Sequence, residues 1–210
     1  MSALEFKAWP KIPRLNRGMV ITEKIDGTNA AIHIVATTAK ELADDLAVGI
    51  FHEGMVELDD DVLFIVGAQS RNRLITPEDD NYGFARWVRD NKQALALHLG
   101  EGIHYGEWWG SGIQRKYGLT GGDKRFSLFN IKRYEGVEVP EIGLGLVPVC
   151  YDGPFSTETV NHVIKMLGIN GSVAAPGFMN PEGVVVFLSA ANSLFKVTVK
   201  NDEKPKGQSA

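Results

Sequence analysis

The segment Glu23-Lys24-Ile25-Asp26-Gly27-Thr28-Asn29 sets a lysine between two acids and follows it with Gly-Thr-Asn. Such a lysine is either a solvated turn residue or a nucleophile. Only an unprotonated amine attacks, so a nucleophilic Lys24 needs surroundings that disfavour the ammonium form. Desolvation among strands would do this, as would nearby cations such as Lys196, Lys200 or a bound metal. The flanking acids push the other way, although strand alternation means that Glu23 and Lys24 need not meet. Gly27 either lets backbone approach a ligand or only makes a turn.

More polar residues follow, each in an apolar stretch where burial without a partner is costly. They are Arg71 in QSRNR, Glu107 in HYGEWWG, Glu182 in PEGVVVF, and Lys196 and Lys200 in FKVTVKN, with Phe129 in FSLFNI. The ordinary alternatives are a surface arginine, a turn aspartate at 26, a core phenylalanine at 129 and a turn glutamate after Pro181. Arg73 is the neighbour most easily confused with Arg71. A glutamate between Gly106 and Trp108 is harder to place on a surface.

Composition limits the classes of protein. With 210 residues, 44 % of them hydrophobic, the chain can bury a substantial core as one large domain or two small ones. No run approaches the roughly 18 apolar residues of a membrane span, and the N-terminal stretch MSALEFKAWPKIPRLNRG has no apolar signal core, so a cytoplasmic location is expected. The single cysteine, Cys150 in GLVPVCYDG, excludes disulfides within the chain and reads as a small buried hydrophobe. The five histidines show no ligand spacing, so any metal should be a hard cation held by carboxylates and phosphates.

The net charge of −4 hides segregation, with acids at Glu41, Asp44, Asp45, Glu53, Glu57 and Asp59–Asp61. Basic pairs stand at Arg71/Arg73, Arg115/Lys116, Lys124/Arg125 and Lys132/Arg133. Charge therefore does not choose a partner.

These residues need elements to position them. Periodicity predicts strands at 19–24 and 28–36, joined as a hairpin at Asp26-Gly27, and further strands at 62–69, 103–109, 126–133, 183–189 and 194–200. Helices are predicted at 82–99, with Phe84, Trp87, Val88, Leu95 and Leu99 on one stripe, and at 157–168, capped by Ser156 or Thr157 and ended at Gly168. Strands outnumber helices without regular alternation, which predicts an α+β fold of largely antiparallel sheets with flanking helices. The tail NDEKPKGQSA reads as disordered.

In order and rough spacing, EKIDGTN, QSRNR, YGEWWGSGIQRKYG, FSLFNI, PEGVVVF and FKVTVKN resemble the covalent nucleotidyltransferases. They look most like the ATP-dependent RNA ligases of the phage T4 RNA ligase 2 type, over residues 18 to 201. The resemblance implies an adenylation (nucleotidyltransferase) domain at 1–201 with a tail at 202–210. It implies that Lys24 takes AMP from ATP and passes it to a 5′-phosphate end, which a 3′-hydroxyl then attacks, with Mg²⁺ or Mn²⁺ assisting.

It further implies that Glu23, Asp26 and Gly27 belong to the nucleotide motif, that Arg71 contacts the ribose and orients the phosphate, and that Glu107 binds the ribose. Phe129 would stack on adenine, Glu182 would act with the divalent ion, and lysines of the last motif would bind phosphate. Two departures stand out. Thr198 occupies the first position of the usual lysine pair, with Lys200 in the second and Lys196 two residues away on the same strand face. Asn130 stands where the family often has aspartate.

Trp108, Trp109 and the basic segment GIQRKYG follow Glu107, and Arg115, Lys116 and Tyr117 are candidates for RNA contact by stacking and phosphate binding, the ordinary alternative being core packing with solvated charges. The expected partners are RNA ends or nicked duplexes. A minimal DNA ligase and a non-catalytic binder of nucleic-acid ends are the rival readings. Relatives often carry an additional C-terminal domain, so the expectation is either a minimal stand-alone enzyme, weak on its own and guided by a protein partner, or a domain supplied elsewhere.

Overall fold

The computed structural model describes residues 5–41, 55–59 and 62–200. The expected tail and the acids Asp44, Asp45, Glu53, Asp60 and Asp61 lie outside the described residues.

Two sheets carry the chain, and the segment containing Lys24 passes from one to the other. β1 (Gly18–Lys24) lies in a four-stranded antiparallel sheet between β9 (Val149–Pro154) and β10 (Gly183–Leu188), with β11 (Ser193–Thr198) at the edge beside β10. β2 (Thr28–Thr37) lies in the larger sheet between β4 (Val62–Ser70) and β6 (Gly102–Gly110). Outside these run β3 (Met55–Asp59) and the short β5 (Leu74–Ile75) on β4, and β7 (Lys124–Leu128) on β6. β8 (Leu144–Leu146) is parallel to β7, the one parallel pairing among the described residues.

The predicted hairpin between the first two strands is therefore corrected. A tight Asp-Gly turn needs left-handed backbone, and Gly27 does not have it. It passes so close to β6 that an added Cβ would lie 2.4 Å from the Trp108 carbonyl oxygen.

Alternation decides what each sheet buries. Ala30, Ile32 and Ile34 of β2 pack with Trp108, Phe126 and Leu128 against α1 (Phe84–Asp90) and α2 (Lys92–Leu99), whose Phe84, Val88, Leu95 and Leu99 face inward as the stripe predicts. The single predicted helix is broken at Asn91, whose side-chain amide donates to the Trp87 carbonyl at 2.8 Å. Asparagine competing for backbone in this way disfavours a continuous helix.

In the smaller sheet Met19, Ile21, Val184 and Val186 pack against α3 (Thr157–Asn170), which Ser156 caps by accepting from the Thr159 N–H. That helix runs two residues past Gly168. Cys150 packs against the same core, and burial pushes its thiol up to about 11, as befits a packing group. A third cluster, Ile25, Trp109, Tyr117, Val147 and Ala175, joins the sheets.

Strand 126–133 is corrected to end at Leu128, where turns begin and Asn130 Oδ1 accepts from the Arg133 N–H at 3.1 Å. The mixed α+β architecture agrees with expectation. Among the described residues no helix is long and apolar enough to cross a membrane.

Candidate active site

Topology brings the candidate residues to one end of both sheets. β10 runs antiparallel to β1 and pairs Gly183 with Lys24, which sets the preceding Glu182 beside the amine. Lys24 Nζ lies 2.6 Å from Glu182 Oε2, with both side chains mostly covered at 27 % and 18 % exposure. Gly183 is required by close packing, since an added Cβ would lie 2.1 Å from the Val197 carbonyl oxygen. β11 pairs Thr198 with Gly183, so the row Lys24, Gly183, Thr198 crosses three strands on one face.

Lys196, paired with Val185, shares that face one row back and is exposed. Lys200 lies beyond the strand end, where its amine donates to Asn180 Oδ1 at 3.3 Å. The end of β11 near Lys24 thus carries Lys200.

In the larger sheet, β4 and β6 both run antiparallel to β2. β6 pairs Glu107 with Asn29, and Glu107 Oε1 accepts the Gly27 N–H at 3.0 Å. Burial is the main cause that pushes the Glu107 carboxyl pKa up to about 7. The Gly27 N–H and the Lys24 cation oppose the rise, while Glu182 and Asp26 add to it.

β7 pairs Ser127 with Glu107, so alternation puts Phe129 on the Glu107 face. Its N–H donates to the Tyr105 carbonyl at 3.0 Å, and the residue is 39 % exposed, which does not fit the core alternative. β4 delivers Arg71 to the same end, where it is exposed. Arg73 is engaged by Asp79 at 2.9 Å, which separates the two arginines.

Two residues named with the nucleotide motif have their side chains committed to the scaffold. Glu23, 1 % exposed, points away from Lys24 and accepts from the Ser172 hydroxyl and the Val173 and Ala174 N–H groups at 2.6, 2.8 and 2.9 Å. Strand alternation explains this placement. Asp26 Oδ2 accepts from Arg115 Nε at 2.8 Å, and its N–H donates to the Tyr117 hydroxyl at 2.9 Å. Arg115 also donates to the carbonyls of Asn180 and Pro181 at 3.0 and 3.2 Å, clamping the Glu182 loop to the Lys24 segment.

Much of the expected RNA-contact group is therefore corrected. Trp108 and Trp109 are each 2 % exposed, Tyr117 is also 2 % exposed, and Arg115 is spent on the clamp; only Lys116 is exposed. The clamp was missed in the sequence because its partners lie far along the chain. Asn29 and Tyr105, on the Glu107 face, were missed as well.

The fit to a hard cation can be judged from the donors. Among the described residues no three His, Cys, Asp or Glu side chains gather to hold a metal. Glu182 is a single, partly exposed oxygen donor, which suits a cation that takes its other ligands from phosphates and water.

A model of the RNA ligase family matches residues 17–198. Among solved structures, a Naegleria gruberi RNA ligase variant with ATP and Mn is 17 % identical, with a TM-score of 0.51 over 89 % of this chain and 51 % of that one. A second variant, with AMP and Mn, is 17 % identical, with a TM-score of 0.50 over 88 % and 50 %. At this identity the likeness is one of fold, and the chain spans about half the length of these structures. No curated protein matches in sequence. Because the family match runs unbroken from the residue before β1 to the last residue of β11, the chain belongs to the RNA ligase family.

Proposed function

We propose that the chain is an ATP-dependent RNA ligase working through a covalent lysyl-AMP intermediate, with residues 1–201 as its adenylation domain. The observation that carries this reading is the convergence of Lys24, Glu107 and Glu182, from three distant segments, on one end of the two sheets.

In the first step Lys24 Nζ, having given up its proton, attacks the α-phosphorus of ATP. The N–P bond forms, the bond to the bridging oxygen breaks, and pyrophosphate leaves with the electron pair. The AMP then passes to a 5′-phosphate end of RNA, and a 3′-hydroxyl displaces it to close the phosphodiester.

Glu107 accepts from a ribose hydroxyl, Phe129 stacks on adenine, and Arg71, Lys200 and Lys196 hold phosphates. Gly27 lets the backbone come close to the nucleotide. Asp26 and Glu23 act through the scaffold. A divalent cation, Mg²⁺ or Mn²⁺, on Glu182 and the phosphates would supply positive charge that stabilises the departing pyrophosphate and disfavours the ammonium form of Lys24.

The test is intact mass after incubation with ATP and Mg²⁺, and separately Mn²⁺, on protein first stripped of bound AMP. A gain of one AMP that Lys24→Ala abolishes is expected. No adduct on folded wild-type protein would overturn the reading. Nicked RNA and DNA duplexes, offered to the adenylated protein, then separate an RNA ligase from a DNA ligase.

A further inference from the structure

Residues 5–18 are all exposed, and among the described residues no helix or strand forms before Gly18. The segment is rooted at its end, where the Phe155 N–H donates to the Arg17 carbonyl at 2.9 Å and Gly18 pairs with Pro154. Its side chains repeat every third residue. Phe6, Trp9, Ile12 and Leu15 form one row, at 93, 85, 84 and 66 % exposure. Lys11, Arg14 and Arg17 form a second, and Lys7, Pro10 and Pro13 fall on the third.

A period of three matches the polyproline II helix, whose φ the two prolines favour. In that form the arm has an apolar edge headed by two aromatic rings, and beside it a cationic edge.

We propose that this arm is a binding surface for single-stranded RNA, resting on the RNA ligase reading. Charge argues for an anionic occupant, since residues 5–17 carry four cations against Glu5 alone in a chain of net charge −4. Rings that stack on bases alongside cations that track phosphates are the combination that grips a single strand without sequence preference. A protein groove that reads Pro10 and Pro13 would leave the Phe6/Trp9 edge in water.

The reach also fits. At about 3.1 Å per residue the arm spans about 40 Å, while its root stands about 20 Å from Lys24 along β1.

The experiment compares wild type with Phe6→Ala/Trp9→Ala and with Lys11→Gln/Arg14→Gln/Arg17→Gln. Binding of a 5′-phosphorylated single-stranded oligoribonucleotide is read by fluorescence anisotropy over a salt series, and the AMP adduct is read by mass on the same proteins. The ring variant should bind roughly tenfold or more weakly. The charge variant should lower the slope of log affinity against log salt by about 2.

RNA affinity and slope unchanged in both variants would overturn the proposal, and a protein-bound arm would give that result. Weakened RNA binding upholds the arm even if no protein forms an adduct, an outcome that would strike the ligase reading alone. An adduct of wild-type yield with unchanged RNA affinity would overturn the arm and leave the ligase reading standing.

Discussion

Burial keeps the Glu107 carboxyl protonated up to about pH 7, whereas the unfolded chain releases that proton near 4.5. Between those values the folded state holds more protons, so the contribution of Glu107 to stability is fully present below 4.5 and is lost as pH rises through 7. Glutamine, neutral throughout, escapes this loss. Glu107→Gln should therefore gain on wild type by about 3 kcal/mol in unfolding free energy above pH 7 and by little at pH 4.5, read from denaturant midpoints at both values.

The proposed ribose contact gives an opposite trend in activity. A carboxylate accepts a hydroxyl proton better than its acid does, so kcat/KM for adenylation should rise through about pH 7 in wild type. The Glu107→Gln profile should lack that step. At this scale the sequence was informative, because Lys24, Glu107 and Glu182 interrupt apolar stretches and their burial demands partners. Glu23 looked the same and serves the loop at 172–174 instead, since one-residue alternation sets its side.

At the scale of elements, close backbone contacts set what can be changed. A methyl group at Gly183 meets the Val197 carbonyl oxygen, and one at Gly27 meets that of Trp108, so neither contact yields by a rotamer change. Gly183→Ala and Gly27→Ala should each cost about 1–3 kcal/mol, measured as a lower denaturant midpoint at unchanged m-value.

The Arg115 clamp gives a different signature. Arg115→Ala frees the Asn180–Glu182 loop, and with a side chain 31 % exposed it should change stability by less than about 1 kcal/mol. Adenylation should slow through kcat more than through KM, and Arg115→Lys should rescue it poorly, because one ammonium cannot serve Asp26 and two carbonyls in a planar fork. The clamp was illegible in the sequence because its partners stand 65 to 89 residues away. The hairpin was misread for a related reason: Asp-Gly is a turn signal locally, and only Trp108 lying against Gly27 shows that the chain crosses between sheets.

Over the whole molecule, Glu23 ties the smaller sheet to the segment at 172–174 that borders the third core. Glu23→Ala strands a buried hydroxyl and two N–H groups, and should cost about 3 kcal/mol or more in unfolding free energy. The α+β class was legible from strand count and irregular alternation. β8 and β9 were not, since GLGLVPVCYDG mixes glycine and proline into a short apolar run that gives no clean period.

The crossing itself has a kinetic meaning. Lys24 ends a strand of one sheet and Thr28 begins a strand of the other, with only residues 25–27 between them, a tether that spans at most roughly 14 Å when taut. Asp26 and Gly27 are both hydrogen-bonded, so the tether has little slack. On the proposed adenylation, the amine is thus held at a high effective molarity against whatever the Glu107 face binds, and little translational search remains to be lost on the way to attack. Lengthening the tether by one glycine after Asp26 should leave ATP affinity, read by equilibrium dialysis, within a few-fold, while single-turnover adenylation falls by about 100-fold.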